Sequence, residues 1–202
     1  MNPSFKEWWE GSANGILKGC LEHVEDRLVD LPEFNEVVKE GIEVDNAIID
    51  NLNKNIKKIQ NHFKNTPQCM YKYRVKFFVL RMKDFALEIG KYTGTYERII
   101  AEAKCIAEGY QQIKDSLDLL FKRVEKDDYT LGVEDIDHCI EDISTIKMLD
   151  DYCTDILDDL LNTKEDCDEF VQYINNFMRR KFDEFINVEK EYMPLSVEDV
   201  LM

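Results

Sequence analysis

Glycine and proline are scarce in this chain, with only 8 glycines and 4 prolines among 202 residues. Sandwiches, barrels and propellers need many tight turns, so this scarcity argues against those folds. No apolar run approaches the roughly 20 residues that cross a bilayer, and the N-terminus lacks the segments of a secretory signal. The 6 cysteines form no CxxC pair. We therefore expect reduced thiols and a cytoplasmic location.

Catalytic and cofactor-binding motifs are also missing. The chain contains no GxGxxG, GxxxxGK[ST], GxSxG or HExxH sequence. Asp135 and His138 have the i, i+3 spacing of a metal-ligand pair, but no second such pair exists. We interpret them as part of a solvated helix end. The sequence therefore predicts a protein that is not an enzyme and that holds no metal or cofactor.

Helix-breaking positions divide the chain into long intervals. Prolines stand at positions 3, 32, 67 and 194, and residues 126–132 form a polar stretch with a glycine. The intervals that remain are about 33–65, 69–126 and 133–192. In the middle interval, apolar residues recur at the average spacing of about 3.5 that marks a heptad seam. They are Tyr71, Val75, Phe78, Met82, Phe85, Ile89, Tyr92, Tyr96, Ile99, Ala103, Ile106, Tyr110, Ile113, Leu117, Leu120 and Val124.

The outer intervals carry shorter seams. The first continues through Ile49, Leu52 and Ile56, while in the third Lys147 and Lys164 fall near seam positions and predict bends or register shifts. Helices of this length cannot bury their seams in a spherical monomer. We therefore predict an all-α fold, an elongated antiparallel three-helix coiled coil over residues 32–193 that forms a homodimer, with Asp135 as the N-cap of the third helix.

A short N-terminal segment, residues 1–31, precedes this domain, and a tail, residues 194–202, follows it. Ser4 and Glu7 match a capping box, so a helix is expected to begin there. Phe5, Trp8 and Trp9 cluster on one side of that helix. They either insert into a membrane interface or pack onto the bundle. The next residues include Gly11, Gly15 and Gly19, which we interpret as a flexible connection.

Charge is segregated along the chain, whose net charge is −16. This balance argues against nucleic acid as a partner, because phosphates require cations. Residues 134–170 hold fourteen acids and two lysines. Residues 51–83 contain no acid and carry Lys54, Lys57, Lys58, Lys64, Lys72, Arg74, Lys76, Arg81 and Lys83, and a smaller basic cluster consists of Lys122, Arg123 and Lys126. These cations either pair with the acidic helix or contact the phosphates of anionic lipids.

Three segments are similar to parts of a BAR domain, most closely of the sorting-nexin type. Residues 34–59 resemble the opening BAR helix, residues 92–99 the middle helix and residues 174–185 the close of the last helix. The resemblance implies a dimer that binds, senses or scaffolds curved membrane in endosomal or vesicle trafficking. It would lie in the cytoplasm or at the periphery of internal membranes. The alternative is an acidic helical module that binds proteins without touching lipid.

Overall fold

The computed structural model describes the backbone of residues 1–63 and 70–186 and the side chains of residues 1–61 and 75–181. The elements are α1 (Pro3–Trp8), a π-helical turn (Trp9–Ala13), α2 (Asn14–Phe63), α3 (Met70–Glu125) and α4 (Val133–Ile186). No strand occurs within these described ranges. The prediction of an all-α chain with three long helices packed together is confirmed.

The heptad seam predicted for α3 is the buried face of that helix. From Val75 to Leu120, each seam position is buried except Tyr92, which is half-buried, as is Val124. Tyr71 lies outside the described side chains. Side chains that recur about every 3.5 residues stay on one side of a long helix, so a single stripe supplies its core contacts.

The N-terminal segment differs from its prediction in two ways. The cap of α1 is Asn2, whose Oδ1 accepts a hydrogen bond of 3.0 Å from the Ser4 backbone N–H. The three glycines after it lie within continuous helix, because the π-helical turn leads directly into α2. The predicted flexible connection is therefore wrong. Ala13 and Leu17 are buried in this region and anchor the helix despite the glycines.

Pro32 lies inside α2, so the predicted helix break at this position is wrong. A proline within a helix removes one backbone hydrogen bond and costs about 3 kcal/mol. Its ring is exposed here, while the preceding residue, Leu31, is buried. Burial of apolar side chains along α2 offsets the cost of the proline, since packing routinely overrides local propensity.

The seam of α4 does not include the two lysines that were expected near it. Ile146 and Thr163 are buried seam residues, whereas Lys147 and Lys164 each follow one of them and are exposed. The two lysines therefore lie beside the seam, which has one register shift where the step from Ile143 to Leu149 is six residues, while the predicted bends stay a prediction. The buried or half-buried seam positions are Ile136, Cys139, Ile143, Ile146, Leu149, Cys153, Ile156, Leu160, Thr163, Cys167, Ile174 and Phe177.

The start of α4 uses Asp135 differently from the prediction. Asp135 is the third residue of the helix, and its Oδ2 accepts a hydrogen bond of 2.8 Å from the Gly132 backbone N–H. The carboxylate reaches back to the residue before the helix, as the acidic member of a capping box does. Asp135 therefore satisfies an otherwise orphan amide without being the N-cap.

The chain forms two compact units, and the first consists of Met1–Val37 and Ile99–Asp159. In this unit, Ser116 of α3 donates to Asp142 of α4 over 2.8 Å, and Tyr110 donates to Asp150 over 2.8 Å. Residue numbers rise along α3 as they fall along α4, so the two helices are antiparallel here. The largest fully buried side chains include Phe5, Leu17, Leu117 and Leu131.

The second unit consists of Val38–Arg98 and the chain from Leu160 onward. Its core combines Leu52, Ile56 and Ile59 of α2 with residues of α3 and α4. Aromatic rings fill its α3–α4 side, where Phe85 makes edge contacts with rings of α4. Three helices therefore surround one apolar core in this unit. The α4 rings in contact with Phe85 are Phe170, Tyr173 and Phe177.

Candidate functional site

Three lysines of the predicted basic stretch lie on the outer face of α2 in the second unit. Lys54, Lys57 and Lys58 are exposed, whereas Leu52 and Ile56 are buried. At 3.6 residues per turn, the lysines point away from the core that these apolar residues fill. The seam of α2 therefore determines which way this basic face is directed.

The α3 part of the basic stretch is exposed on the same unit. Lys76 and Lys83 are exposed, and Arg81 is half-buried. The Arg81 guanidinium lies 5.5 Å from the centre of the Phe85 ring and 3.6 Å from the Asp84 carboxylate. Arg81 is thus held in place by its own helix, while the two lysines extend into solvent.

A third group of cations comes from α4, and the sequence analysis did not assign it to the site. Arg179 and Arg180 are exposed and Lys181 is half-buried, directly after the core residue Met178. Met178 belongs to the same apolar core as Ile59 and Val75. The cations of all three helices therefore lie around the same end of the second unit. We call them the basic collar: Lys54, Lys57, Lys58, Lys76, Arg81, Lys83, Arg179, Arg180 and Lys181.

The exposed collar lysines of α2 and α3 are not paired with the acidic part of α4 within the described side chains. Within the described side chains, no carboxylate forms an ion pair with the exposed lysines of α2 and α3 in the collar. Residues 51–83 and 170–182 contain no acid. The positive charge of these lysines is therefore available to an external anion, whereas the charge of Arg81 is shared with Asp84. The side chains of Lys64, Lys72 and Arg74, which belong to the predicted stretch, lie outside the described residues.

The three cations of the smaller basic cluster, in the first unit, differ in their contacts. Lys122 and Lys126 are exposed, but Arg123 donates to Asp128 over 2.9 Å and to Asp135 over 2.6 Å. The hydrogen bond from Arg123, with others from Thr130, holds the pKa of Asp128 well below its usual value. Arg123 therefore closes the turn between α3 and α4, and its charge is committed to that turn.

The aromatic residues near the N-terminus pack inward. Phe5 and Trp9 are buried, and the Trp9 ring meets the edge of Phe121 with ring centres 5.3 Å apart. Trp8 is half-buried, with its ring 5.5 Å from that of Phe5. Phe5 and Trp9 would have to leave the core to enter a bilayer. In this structure the two rings pack onto the bundle, which is the second of the two interpretations of the sequence.

A polar network in the first unit centres on Asp150 of α4. Tyr110 donates to its carboxylate over 2.8 Å, Arg27 over 3.2 Å, and His23 Nε2 lies 3.0 Å from both oxygens. Burial acts to raise the pKa of Asp150, but the hydrogen bonds and the nearby cations lower it overall. The network joins all three long helices within the unit. Tyr110 is a seam residue of α3, but Asp150, His23 and Arg27 lie beside seam positions, so periodicity alone gives no signal for the network.

A buried polar layer in the second unit centres on Asp45 of α2. Its side chain accepts hydrogen bonds from Cys167 Sγ of α4 over 3.2 Å and from the Thr93 hydroxyl of α3 over 3.3 Å. Burial raises the pKa of Asp45, as it raises the pKa of the Cys167 thiol to about 12. The only sequence signal is that an acid stands midway between the seam residues Ile42 and Ile49.

The comparisons with known proteins add no identity. No protein-family model, no curated protein and no solved structure matches this chain. The similarity to BAR domains stays a prediction. Over the described part of the chain, no helix has a stretch long and apolar enough to cross a bilayer. No group of three side chains that could hold a metal ion occurs there either.

Proposed function

We propose that this chain is a non-enzymatic, BAR-like module that binds anionic membrane surfaces through the basic collar and acts as a homodimer. The observation that carries the proposal is the collar itself, in which cations from α2, α3 and α4 surround one end of an apolar core. Each lysine or arginine near an anionic bilayer contributes about 1 kcal/mol. Several cations acting together would therefore supply binding that single residues cannot.

The negative net charge does not oppose this proposal at physiological ionic strength. Exposed charges further apart than about 8 Å are largely screened at 0.15 M salt. On α4, Glu169 precedes Arg179 by ten residues, which is about 15 Å along a helix, and the acids that flank the collar in sequence, such as Asp50, Asp84 and Asp183, are fewer than its cations. The collar would therefore act as a local positive surface on an acidic protein.

Vesicle sedimentation with two charge-matched variants tests the proposal. The collar variant carries glutamate at Lys54, Lys57, Lys58 and Lys76. The control carries glutamate at four exposed lysines outside the collar, Lys18, Lys104, Lys147 and Lys164. Both variants change the net charge equally. We expect the collar variant to lose binding to phosphatidylserine vesicles and the control to retain it, with unchanged helical circular dichroism.

Two results would contradict the proposal. Equal loss of binding in both variants would mean that only net charge matters, and a wild-type chain that never sediments would remove the function altogether. Light scattering tests the dimer separately, with an expected mass of about 48 kDa from a 23.9 kDa chain. A mass near 24 kDa would exclude the homodimer while leaving the collar experiment valid.

A second candidate function is the binding of a protein partner by the acidic face of α4. The observation that favours it is the exposure of Tyr152 and Leu157 among the acids of the first unit. Large apolar side chains in an otherwise charged surface are typical of protein contacts. A chain that stays in solution with strongly anionic vesicles at low salt would favour this function over membrane binding.

A further inference from the structure

Two large apolar side chains stand exposed within the basic collar. Phe77 is 56% exposed and Leu80 is 49% exposed, although both belong to a helix whose other face is thoroughly buried. They are three residues apart, so their side chains are neighbours on the helix surface. Together they form an apolar patch on the outward side of α3.

Cations border this patch on both sides. At 100° per residue, Lys76 and Lys83 fall on one edge of the Phe77–Leu80 patch and Arg81 falls on the other. Asp84 falls on the same face one turn beyond Leu80 and pairs with Arg81 over 3.6 Å, so the cations beside the patch that remain available are Lys76 and Lys83. The result is a short surface with an apolar centre, a basic edge formed by Lys76 and Lys83, and the Arg81–Asp84 ion pair at the other edge.

We infer that Phe77 and Leu80 enter the interfacial region of an anionic lipid bilayer while the cations beside them contact the headgroup phosphates. The inference rests on the proposed function, and it identifies the partner as a bilayer. A helical face with apolar residues between cations is the pattern of interfacial helices, which bury their apolar side about 5–10 Å into the headgroup boundary. A soluble polyanion offers phosphates but no apolar medium to receive Leu80.

An aromatic residue between cations can also bind nucleic acid, which is the other polyanion to consider. Single strands bind by stacking bases on aromatic rings in a basic groove. Leucine has no ring on which a base can stack, so a single strand would leave Leu80 without a matching contact. The observations therefore favour the bilayer, and nucleic acid becomes an outcome of the test.

A pair of serine variants separates insertion from charge attraction. The test variant is Phe77→Ser with Leu80→Ser. The control is Val44→Ser with Leu161→Ser, two side chains of the same unit that are 58% and 56% exposed and lie outside the collar. With phosphatidylserine vesicles we expect the test variant to partition at least about tenfold less strongly, and the control to match the wild type. The salt dependence should be unchanged in both, because neither variant alters charge.

Fluorescence quenching locates the patch directly. In a Leu80→Trp variant, vesicles with brominated acyl chains should quench the added tryptophan more than they quench the wild-type chain. Normal vesicle binding by the serine pair, with no added quenching in the tryptophan variant, would overturn the inference and leave the collar function intact. Tighter binding to single-stranded RNA than to vesicles, abolished by Phe77→Ser, would overturn it in favour of nucleic acid. A wild-type chain that binds no vesicle would overturn both proposals.

Discussion

Replacing Asp45 with asparagine should alter how the stability of the fold depends on pH. The Asp45 side chain is 2% exposed and accepts hydrogen bonds from Cys167 and Thr93. Asparagine has nearly the same shape, and its carbonyl oxygen can still accept from Cys167. Its amide can donate to the hydroxyl oxygen of Thr93. The substitution therefore removes the ionisable group and leaves the packing of the layer in place.

The sign of the effect follows from the pKa. Burial raises the pKa of Asp45 above the usual value of about 3.9, and the negative charge of Asp168 adds to this shift. The folded state then holds the proton more tightly than the unfolded state. The stability that protonated Asp45 contributes to the fold is complete below about pH 4 and is lost as the pH rises through the folded pKa. Between the two pKa values the wild type loses about 1.4 kcal/mol per pH unit relative to the variant.

Urea unfolding followed by far-UV circular dichroism at several pH values measures this difference. We expect Asp45→Asn to be close to the wild type in stability near pH 3.5 and more stable than the wild type near pH 7. Asp50→Asn is the control, since it removes the same charge from an exposed position of α2. A stability difference between Asp45→Asn and wild type that stays constant across this range would refute the reasoning.

Two further predictions concern the first unit. Tyr110→Phe removes a hydrogen bond to the Asp150 carboxylate and should lower the free energy of unfolding by about 1.5–3 kcal/mol in urea. The exposed control Tyr129→Phe should change it little, and an equal loss in both would contradict a role for the network. The wild type should lose stability as the pH falls below about 4, because the pKa of Asp128 is lowered in the folded state. Arg123→Gln should make this pH dependence smaller, since Arg123 is the main cause of the lowered pKa. Melting temperatures with the same pH dependence in variant and wild type would contradict it.

The apolar seam of α3 could be predicted because it repeats without interruption. From Val75 to Leu120 the buried residues follow the heptad spacing, so a single exception such as the half-buried Tyr92 does not hide the repeat. The seam of α4 was harder to place because its apolar residues are spaced among many acids. Starting from Ile143, a step of four reaches Lys147, whereas a step of three reaches the buried Ile146. An error of one residue is enough to place a lysine in the seam where the structure has a buried side chain.

Local signals failed where packing across helices outweighed them. Proline and glycine are counted as helix breakers from their backbone preferences, which amount to about 3 and 1 kcal/mol. Pro32 and Gly15 nevertheless lie within helix, since neighbouring residues such as Leu31 and Leu17 are buried. Burying one such side chain contributes about 1.5–3 kcal/mol. Several of these contacts in a long helix exceed the local cost.

The polar groups of the interior could not be identified from the sequence, because their hydrogen-bond partners stand far away in the chain. Asp45 and Asp150 look like other acids of an acidic protein until Cys167 and Tyr110 are placed beside them. A polar residue in a heptad seam helps to set the register of the helices, since its hydrogen bonds form in only one alignment. Asp45 forms such hydrogen bonds in the second unit, and Asp150 forms another set beside the seam in the first unit.

The same dependence on topology governs the surface charge. Residues 51–83 could be recognised as basic because they are consecutive, but Arg179 and Arg180 stand about a hundred residues later, after a strongly acidic stretch. Antiparallel packing returns the end of α4 to the core residues Ile59 and Val75 and so completes the basic collar. A count of charge along the chain therefore underestimates the positive surface. If the collar binds membrane, Arg179→Glu with Arg180→Glu should weaken vesicle binding as glutamates on α2 do, although these arginines lie outside the basic stretch of the sequence.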